Sequence, residues 1–282
     1  MIKFAISGFN ELTRNTLNQV NRCESNRRLD GQIVVITGGN AGIGKETAYQ
    51  LASRGAQVII GCRSLEKGNE AINDMKATND SVVLKVVKLD LASMKSVRLF
   101  AQQVEQLVDK IDVLINNAGV MMCPEWKTAD GFEMQFGTNH LGHFLLTMHL
   151  LPLLKKSTGG TKVINVSSIG HMLGNIYFDN INLVNGAYKP FKAYNQSKLA
   201  NVMFTSELAR RLGKTTSGQS VKAYAVHPGF VDTQVLRHIS MGGQIGSKVV
   251  KKFLLKPEMG CQTILYCILD DSVANESGYF YA

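Results

Sequence analysis

The segment T-G-G-N-A-G-I-G, residues 37–44, lies between a β-branched run at Ile33–Thr37 and a helical pattern from Ile43 to Arg54. Glycine is needed where the backbone turns tightly and where a phosphate approaches main-chain N–H groups. The N-terminus of the following helix adds the positive end of its dipole at the same place. The segment therefore predicts a strand–turn–helix unit that holds the pyrophosphate of a dinucleotide.

The alternation of short apolar runs with longer helical patterns continues along the chain. Further strands are predicted at Gln57–Gly61, Val82–Leu89, Ile111–Asn116, Lys162–Ser168 and Val221–His227, and further helices at Leu65–Ala77, Ser93–Asp109, Asp130–Leu154 and Ala193–Leu212. Strands that alternate with helices indicate an α/β fold, here a single Rossmann-type doubly wound parallel sheet with helices on both faces. The carboxyl ends of such strands share one edge, where ligands bind.

Two regions are predicted on either side of Asp30-Gly31. Residues 1–30 form an N-terminal extension in which Ile2, Ile6, Phe9, Leu17 and Val20 share one helical face. A mitochondrial presequence, an interfacial helix and a plain helical extension all remain open. Residues 31–282 form the dinucleotide-binding catalytic domain.

Composition limits the partners and the compartment. The formal net charge is +9, which suits a phosphorylated cofactor together with a membrane surface. No basic run is interleaved with aromatic residues, so we exclude nucleic acid as a partner. The five cysteines are scattered without a C-x-x-C pair, which argues against disulfides and favours an intracellular, reducing compartment. The endoplasmic reticulum surface, the mitochondrion and the cytoplasm are not distinguished.

Arg63 stands where the second strand ends, in G-C-R-S, at the position that normally selects the cofactor. A carboxylate there accepts the ribose 2′-hydroxyl of NAD, whereas a guanidinium binds a 2′-phosphate bidentately. Lys45, directly after Gly44, adds a second cation near this corner. The sequence therefore predicts NADP(H). Asp90, after the third strand, either accepts from the adenine amino group or caps the next helix, for which Ser93 is the better N-cap.

Tyr194 and Lys198 are four residues apart in Y-N-Q-S-K, and residues at this spacing share one face of a helix. A free tyrosine has a pKa near 10 and is a poor base at neutral pH. A nearby ammonium and an oxidised nicotinamide, both positive, would favour the phenolate. The pair therefore predicts proton transfer beside a hydride carrier.

With these motifs in place, the chain from about Gly31 onward resembles the short-chain dehydrogenase/reductase superfamily. The motifs are T-G-G-N-A-G-I-G, D-L at 90–91, N-N-A-G at 116–119, Y-N-Q-S-K, and H-P-G at 227–229. The stretches N-H-L-G-H-F-L-L-T at 139–147 and V-H-P-G at 226–229 look most like the microsomal and mitochondrial, NADP-preferring retinol dehydrogenase branch.

The resemblance implies a catalytic set of Asn139, Ser168, Tyr194 and Lys198. Tyr194 would be the general acid/base, Lys198 would also hold the nicotinamide ribose, and Ser168 would steady the substrate oxygen. Asn139 would relay protons through a water, and an asparagine that only satisfies a helix bend is compatible with that role. Ser167 is the rival of Ser168, but successive residues of a strand point to opposite faces.

Backbone contacts to the cofactor are implied for Asn116, Ala118 and Gly119, and Thr233 matches the position that contacts the carboxamide. The complete predicted cofactor set is Gly38, Asn40, Gly42, Ile43, Gly44, Lys45, Arg63, Asp90, Leu91, Asn117, Ala118, Gly119, Tyr194, Lys198, Pro228, Gly229, Val231 and Thr233. We assign no metal site: His140 and His143 lack an acidic or cysteine ligand at suitable spacing and are interpreted as packing residues.

The substrate lid is expected at about residues 230–257, where an apolar stripe that includes Val249 and Phe253 faces away from Lys251 and Lys252. Such a helix covers an apolar pocket, lies in a membrane interface, or does both. We therefore predict an oxidoreductase that interconverts a small lipophilic alcohol with its aldehyde or ketone, with retinol and retinal as the leading pair. A carbonyl reductase for steroid or xenobiotic substrates and a catalytically idle NADPH-binding regulator remain alternatives, and peripheral membrane contact and a homodimer are left open.

Overall fold

The computed structural model describes residues 22–213, 220–232 and 254–282. Its seven strands are β1 Ile33–Thr37, β2 Gln57–Cys62, β3 Val83–Lys88, β4 Val113–Asn116, β5 Thr161–Val166, β6 Val221–Val226 and β7 Phe280–Tyr281. They form one sheet in the order β3-β2-β1-β4-β5-β6-β7, and every pairing is parallel. The predicted doubly wound parallel sheet is confirmed. The helix predicted within residues 1–20, Thr233 and most of the predicted lid lie outside the described residues.

Helices follow the strands as the alternation predicts. They are α1 Gly42–Ala52, α2 Leu65–Thr78, α3 Met94–Leu107, α4 Met134–Phe136, α5 Gly142–Leu154, α6 Pro190–Leu212, α7 Pro257–Gly260 and α8 Gln262–Leu269, with a π-helical turn at Gly137–Leu141 between α4 and α5. Most predicted bounds differ from these by a few residues, which is the usual uncertainty at helix ends.

The helix predicted over Asp130–Leu154 is wrong at its start and in its continuity. Gly131 has a φ of +85°, in the left-handed region that a helix cannot use. The Glu133 carboxylate accepts hydrogen bonds from the main-chain N–H groups of Gln135 and Phe136, at 2.8 and 2.7 Å. This side chain caps the helix, so that it begins at Met134.

Two apolar cores, one on each face of the sheet, fix the strands in place. Successive residues of β1 alternate between them: Val34 and Ile36 belong to one core and Val35 to the other. The central strands β4 and β5 are buried along their whole length. Burying each valine, leucine or isoleucine side chain of these strands stabilises the fold by about 1.5–3 kcal/mol, and this packing holds the carboxyl edge of the sheet beneath the loops.

Part of the predicted N-terminal extension contacts the domain. The Leu29 side chain is buried, and its N–H donates to the carbonyl of Arg54 at 2.8 Å. The N–H of Cys23 donates to Oε1 of Gln262, at the start of α8. In the described ranges no helix combines the length and the apolar character needed to cross a bilayer.

Candidate active site

A cavity of about 610 Å³ opens at the carboxyl ends of the strands and is lined by the loops that follow β1 to β6. Most of the residues predicted for the site line it. They are Gly38, Asn40, Gly42, Ile43, Gly44, Arg63, Asp90, Leu91, Asn117, Ala118, Gly119, Ser168, Tyr194, Lys198, Pro228, Gly229 and Val231. The topology thus brings into one cavity residues that are far apart in the sequence.

The glycine turn after β1 needs its glycines for two different reasons. Gly38 has a φ of +69°, which L side chains rarely adopt. At Gly44 a Cβ atom would lie 2.4 Å from the carbonyl oxygen of Gly38, closer than any carbon can approach. The turn therefore folds back on itself tightly enough to start α1 at the wall of the cavity.

The N-terminus of α1 differs from those of the next two helices. Ser64 caps α2 and Ser93 caps α3 through their hydroxyls, whereas Ala41 precedes α1 and no side chain caps it. The first N–H groups of a helix have no partner within the helix. Because Gly42, Ile43 and Gly44 line the cavity, these N–H groups suit an anionic ligand.

A cationic corner lies where β2 ends. Arg63, Ser64 and Lys67 all line the cavity there. Lys67 was missed by the sequence prediction, although its place four residues after Arg63, in the first turn of α2, puts both at the same helix end. The corner presents two cations and a hydroxyl, a donor set that fits a phosphate.

Lys45 is not brought into this corner. Its ammonium lies 2.7 Å from the Asp74 carboxylate, and the residue does not line the cavity. The cofactor contact predicted for Lys45 therefore gains no support from its placement. The nearness of Lys45 to Gly44 in sequence was misleading because a side chain in the first turn of a helix can project to either side of the turn.

The two roles considered for Asp90 are separated in the structure. The Ser93 hydroxyl caps α3 by accepting from the N–H of Ser96 at 3.3 Å. The Asp90 carboxylate accepts from the N–H of Ala92 at 3.0 Å and lines the cavity. Ser93 is thus the helix cap, and adenine recognition by Asp90 stays a prediction.

In N-N-A-G the second asparagine, not the first, reaches the cavity. The Asn116 amide donates to the Thr147 hydroxyl at 3.0 Å and to the Asn165 side chain at 2.8 Å, inside the protein. The Asn117 amide donates to the carbonyl of Thr37 at 2.8 Å, and Asn117 lines the cavity with Ala118 and Gly119. Asn117 therefore lines the cavity and Asn116 does not, and the cofactor contacts predicted for both stay predictions.

Ser168 and Tyr194 come together at the wall of the cavity. Ser168 ends the extension of β5, and its hydroxyl is close enough to the Tyr194 phenol to lower the pKa of that phenol. The neighbouring Ser167 hydroxyl instead donates to the carbonyl of Lys198 at 2.8 Å. The period-two alternation of the strand thus places Ser168, rather than Ser167, beside the phenol.

Burial dominates the electrostatics of Tyr194 and Lys198. Burial raises the pKa of the Tyr194 phenol to about 12, and the nearby Ser168 hydroxyl acts in the opposite direction. Burial also lowers the pKa of Lys198 to about 8. The Lys198 ammonium donates to the carbonyl of Val166 at 3.0 Å and lies 5.5 Å from the centre of the Tyr194 ring. Protein groups alone therefore hold Tyr194 as a neutral phenol at neutral pH, whereas the sequence led us to expect a lowered pKa once a positive nicotinamide is added.

Asn139 lies in the π-helical turn and clamps the loop after β4. Its side chain accepts from the N–H of Val120 at 2.8 Å and donates to the carbonyl of Val120 at 2.9 Å. Its amide also lies 3.0 Å from the Ser197 hydroxyl. Asn139 itself does not line the cavity, so the predicted water relay stays a prediction while a structural role is visible.

The histidines near the site have protein partners. The Nδ1 atom of His140 is 3.1 Å from Oδ1 of Asn201, and Nε2 of His143 is 2.8 Å from the Thr37 hydroxyl. His227, from H-P-G, lines the cavity next to Phe230 and was missed, because only the proline and glycine of that motif were interpreted. Within 22–213, 220–232 and 254–282, no three His, Cys, Asp or Glu side chains come together as a metal site.

Comparison with known proteins agrees with this geometry. The family model described as short chain dehydrogenase matches residues 32–242. Retinol dehydrogenase 11 of Mus musculus is 45% identical over 260 residues, which cover 92% of this chain and 80% of that protein. Retinol dehydrogenase 13 of Homo sapiens is 44% identical over 264 residues, covering 92% and 78%.

Solved structures show the same fold. A protein from Mycobacterium Paratuberculosis superposes with a TM-score of 0.71 at 39% sequence identity, and the match covers 90% of this chain and 81% of that one. The Pseudomonas aeruginosa RhlG/NADP active-site complex superposes with a TM-score of 0.68 at 25% identity, covering 90% and 95%.

Proposed function

We propose, on the premise that this chain belongs to the short-chain dehydrogenase family and is an oxidoreductase acting on CH–OH donors, that it uses NADP(H) on a lipophilic substrate. The substrate pair would be an alcohol and its aldehyde or ketone, with retinol and retinal as the leading candidates. The placement of Ser168 beside Tyr194 at the cavity wall carries the proposal. The Tyr194 phenol, as the acid, and the Ser168 hydroxyl could both donate hydrogen bonds to one substrate carbonyl oxygen there.

The donor set along the cavity fits a phosphorylated dinucleotide. Arg63 and Lys67 would bind the 2′-phosphate, and the uncapped N-terminus of α1 would bind the pyrophosphate. Lys198, at the other side of the cavity, would donate to the nicotinamide ribose. When bound, NADP(H) supplies or accepts the hydride at its nicotinamide ring.

Tyr194 would move the proton, and its protonation state matters for the direction of reaction. A pKa of about 12 means that forming the phenolate at pH 7 costs about 7 kcal/mol, at roughly 1.36 kcal/mol per unit. Oxidation of an alcohol requires that cost to be offset by positive charge near the phenol. Reduction begins from the neutral phenol, whose proton is then available for a carbonyl oxygen.

Ser168 would support the same step. Its hydroxyl can donate to the substrate oxygen as negative charge develops there, in a site from which protein burial removes competing water. The Ser168 side chain is partly exposed, whereas the Ser167 side chain is buried. Ser168 can therefore reach a substrate in the cavity beside the Tyr194 phenol.

The apolar part of the cavity favours a lipophilic substrate. Val120, Met121, Met134, Phe230 and Leu254 contribute to its lining. Methionine adapts to ligands of irregular shape, and apolar walls with a few convergent polar groups are typical of small-molecule sites. The names of the relatives, retinol dehydrogenases 11 and 13, make retinal the first substrate to test.

The deciding experiment is steady-state oxidation of NADPH by the full chain with retinal, farnesal, a steroid ketone and a simple aldehyde, repeated with NADH. We expect turnover with NADPH, and a higher kcat/KM for lipophilic carbonyls than for the simple aldehyde. A preference for NADH would contradict the cofactor assignment. NADPH binding without consumption across the whole panel would replace the enzyme proposal with the idle regulator.

A further inference from the structure

A buried series of hydrogen bonds lies beneath the cavity and runs from the end of β1 to the π-helical turn. The Thr37 hydroxyl, at the end of β1, accepts from the N–H groups of Asn117 and Ala118 at 3.0 and 2.9 Å. The same hydroxyl lies 2.8 Å from Nε2 of His143. On the other side of the ring, Nδ1 of His143 lies 3.0 Å from the carbonyl oxygen of Asn139. The His143 imidazole therefore connects β1, the loop after β4, the π-helical turn and α5.

Counting donors and acceptors fixes the direction of every bond in this series. A hydroxyl has one hydrogen and two acceptor positions, and two N–H groups already occupy the acceptor positions of Thr37. Its hydrogen must then be donated to Nε2 of His143, which has to be unprotonated. A neutral imidazole carries its hydrogen on the other nitrogen, so Nδ1 donates to the Asn139 carbonyl.

The surroundings of the ring agree with this tautomer. Thr37 and His143 are 0% and 2% exposed, so water does not compete for these bonds. Burial lowers the pKa of His143 to about 3, which keeps the ring neutral under physiological conditions. A carbonyl cannot donate a hydrogen, so the opposite tautomer would leave Nδ1 facing the Asn139 oxygen with two lone pairs in contact.

The two ends of this series of hydrogen bonds lie at different parts of the site. Asn117 and Ala118 line the cavity where the cofactor is proposed to bind. Asn139 lies in the π-helical turn, and its side chain clamps Val120 in the loop after β4. The Asn139 carbonyl also accepts from the Asn201 amide at 3.1 Å. The imidazole thus sets the distance between a cofactor-facing loop and the helix turn that carries Asn139.

We propose that His143 is a positioning residue whose fixed tautomer joins the loop at residues 117–120 to the π-helical turn at Asn139. The inference rests on the proposed function for its effects on NADPH binding and turnover, but not for the tautomer. The two ring nitrogens have separate tasks: Nε2 holds the cofactor-facing loop through Thr37, and Nδ1 holds the turn. A side chain that merely filled the core would not divide its effects in this way.

Two variants separate the tasks. In His143→Gln the side-chain oxygen can replace Nε2 as the acceptor for Thr37, but the donor to Asn139 is lost. In His143→Asn the amide nitrogen can replace Nδ1 as the donor, but Thr37 loses its acceptor. We expect roughly a tenfold lower kcat with nearly unchanged NADPH affinity for the first, and roughly a tenfold weaker NADPH affinity with a largely retained kcat for the second. His149→Gln, also on α5, is the matched control and should change neither.

The tautomer itself is measured on the wild-type protein by nitrogen NMR of labelled histidine, with through-bond assignment. We expect a protonated Nδ1 and a bare Nε2 that do not change between about pH 5 and about pH 8. Thr37→Val should shift the Nε2 signal and weaken NADPH binding, while Thr37→Ser should do neither. These two readouts need no turnover, so they decide the proposal even where the substrate panel fails or a His143 variant does not fold.

The proposal is overturned by a protonated Nε2, by titration of the ring within that pH range, or by equal effects of the two His143 variants on affinity and kcat. Failure of the proposed function looks different: the wild-type protein would then show no NADPH binding, or binding without turnover.

Discussion

The Ser168 hydroxyl and the Tyr194 phenol lie close together at the wall of the cavity, although the chain between them leaves β5 and passes through two 3₁₀ turns before α6 begins. Burial raises the pKa of the phenol, and the nearby Ser168 hydroxyl lowers it. The arrangement places the proton donor next to the group that would steady the substrate oxygen.

Replacing Tyr194 with Phe removes the proposed acid and leaves the ring in place. We expect kcat for NADPH-dependent carbonyl reduction to fall by about 10²- to 10⁴-fold, because a positioned acid contributes about that much. NADPH affinity, measured by cofactor fluorescence, should change little. Turnover that survives in a variant with normal NADPH binding would remove Tyr194 from the mechanism.

Ser168→Ala and Ser167→Ala form a matched pair on neighbouring residues. Loss of the Ser168 hydroxyl should lower kcat by about 10²-fold, since it removes a donor aimed at developing charge. Loss of the Ser167 hydroxyl, which donates to the Lys198 carbonyl, should instead lower the free energy of unfolding by about 1 kcal/mol. Steady-state kinetics and urea unfolding of both variants check the pair, and a larger kinetic effect from Ser167→Ala would reverse the assignment.

Arg63→Gln should weaken NADPH binding about tenfold or more, because it removes a charged hydrogen-bonding partner of the 2′-phosphate. Lys67→Gln should act in the same direction. Neither change should weaken the binding of NADH, because NADH lacks the 2′-phosphate. Lys76→Gln, in the last turn of the same helix, controls for the loss of one positive charge. Titration calorimetry with both cofactors makes the test, and an equal loss for NADPH and NADH would place these cations elsewhere.

Lys198 should make the stability of the protein depend on pH. Its pKa is lowered from 10.5 to about 8 in the folded state, so the unfolded chain binds more protons between these values and stability rises with pH across that window. Between about pH 7 and about pH 9.5, Lys198 should raise the free energy of unfolding by about 2 kcal/mol. The raised pKa of Tyr194 acts against stability only above its unfolded value near 10.

Lys198→Met retains the apolar stem without the charge and should therefore show a smaller rise in the free energy of unfolding over the same range. Lys162, whose pKa burial also lowers to about 8, is present in both proteins and cancels in the comparison. Urea unfolding at several pH values measures the difference. Identical pH profiles of the two proteins would mean that burying the Lys198 ammonium does not lower the free energy of unfolding. The variant should also lose turnover if Lys198 holds the cofactor.

The sequence by itself determined the fold class and most of the cavity. Residue patterns of period two and of helical period are local, and they located six strands and their helices because each element must bury one face or both. Once these elements alternate, the handedness of the connections places Gly38, Arg63, Ser168 and Pro228 at one edge of the sheet. The helix α8 was not predicted as an element, since its stability comes from packing on the rest of the domain.

Tertiary structure alone decided how individual side chains are used. Lys45 and Lys67 are both lysines near a helix start, yet one pairs with Asp74 and the other lines the cavity. Without a bound nicotinamide the pKa of Tyr194 is raised, because burial is a property of the whole fold and not of the Y-N-Q-S-K motif. The tautomer of His143 is fixed by Thr37 and Asn139, which come from other elements. Local sequence specifies which groups are present, and only long-range contacts specify their partners, their solvation and hence their chemistry.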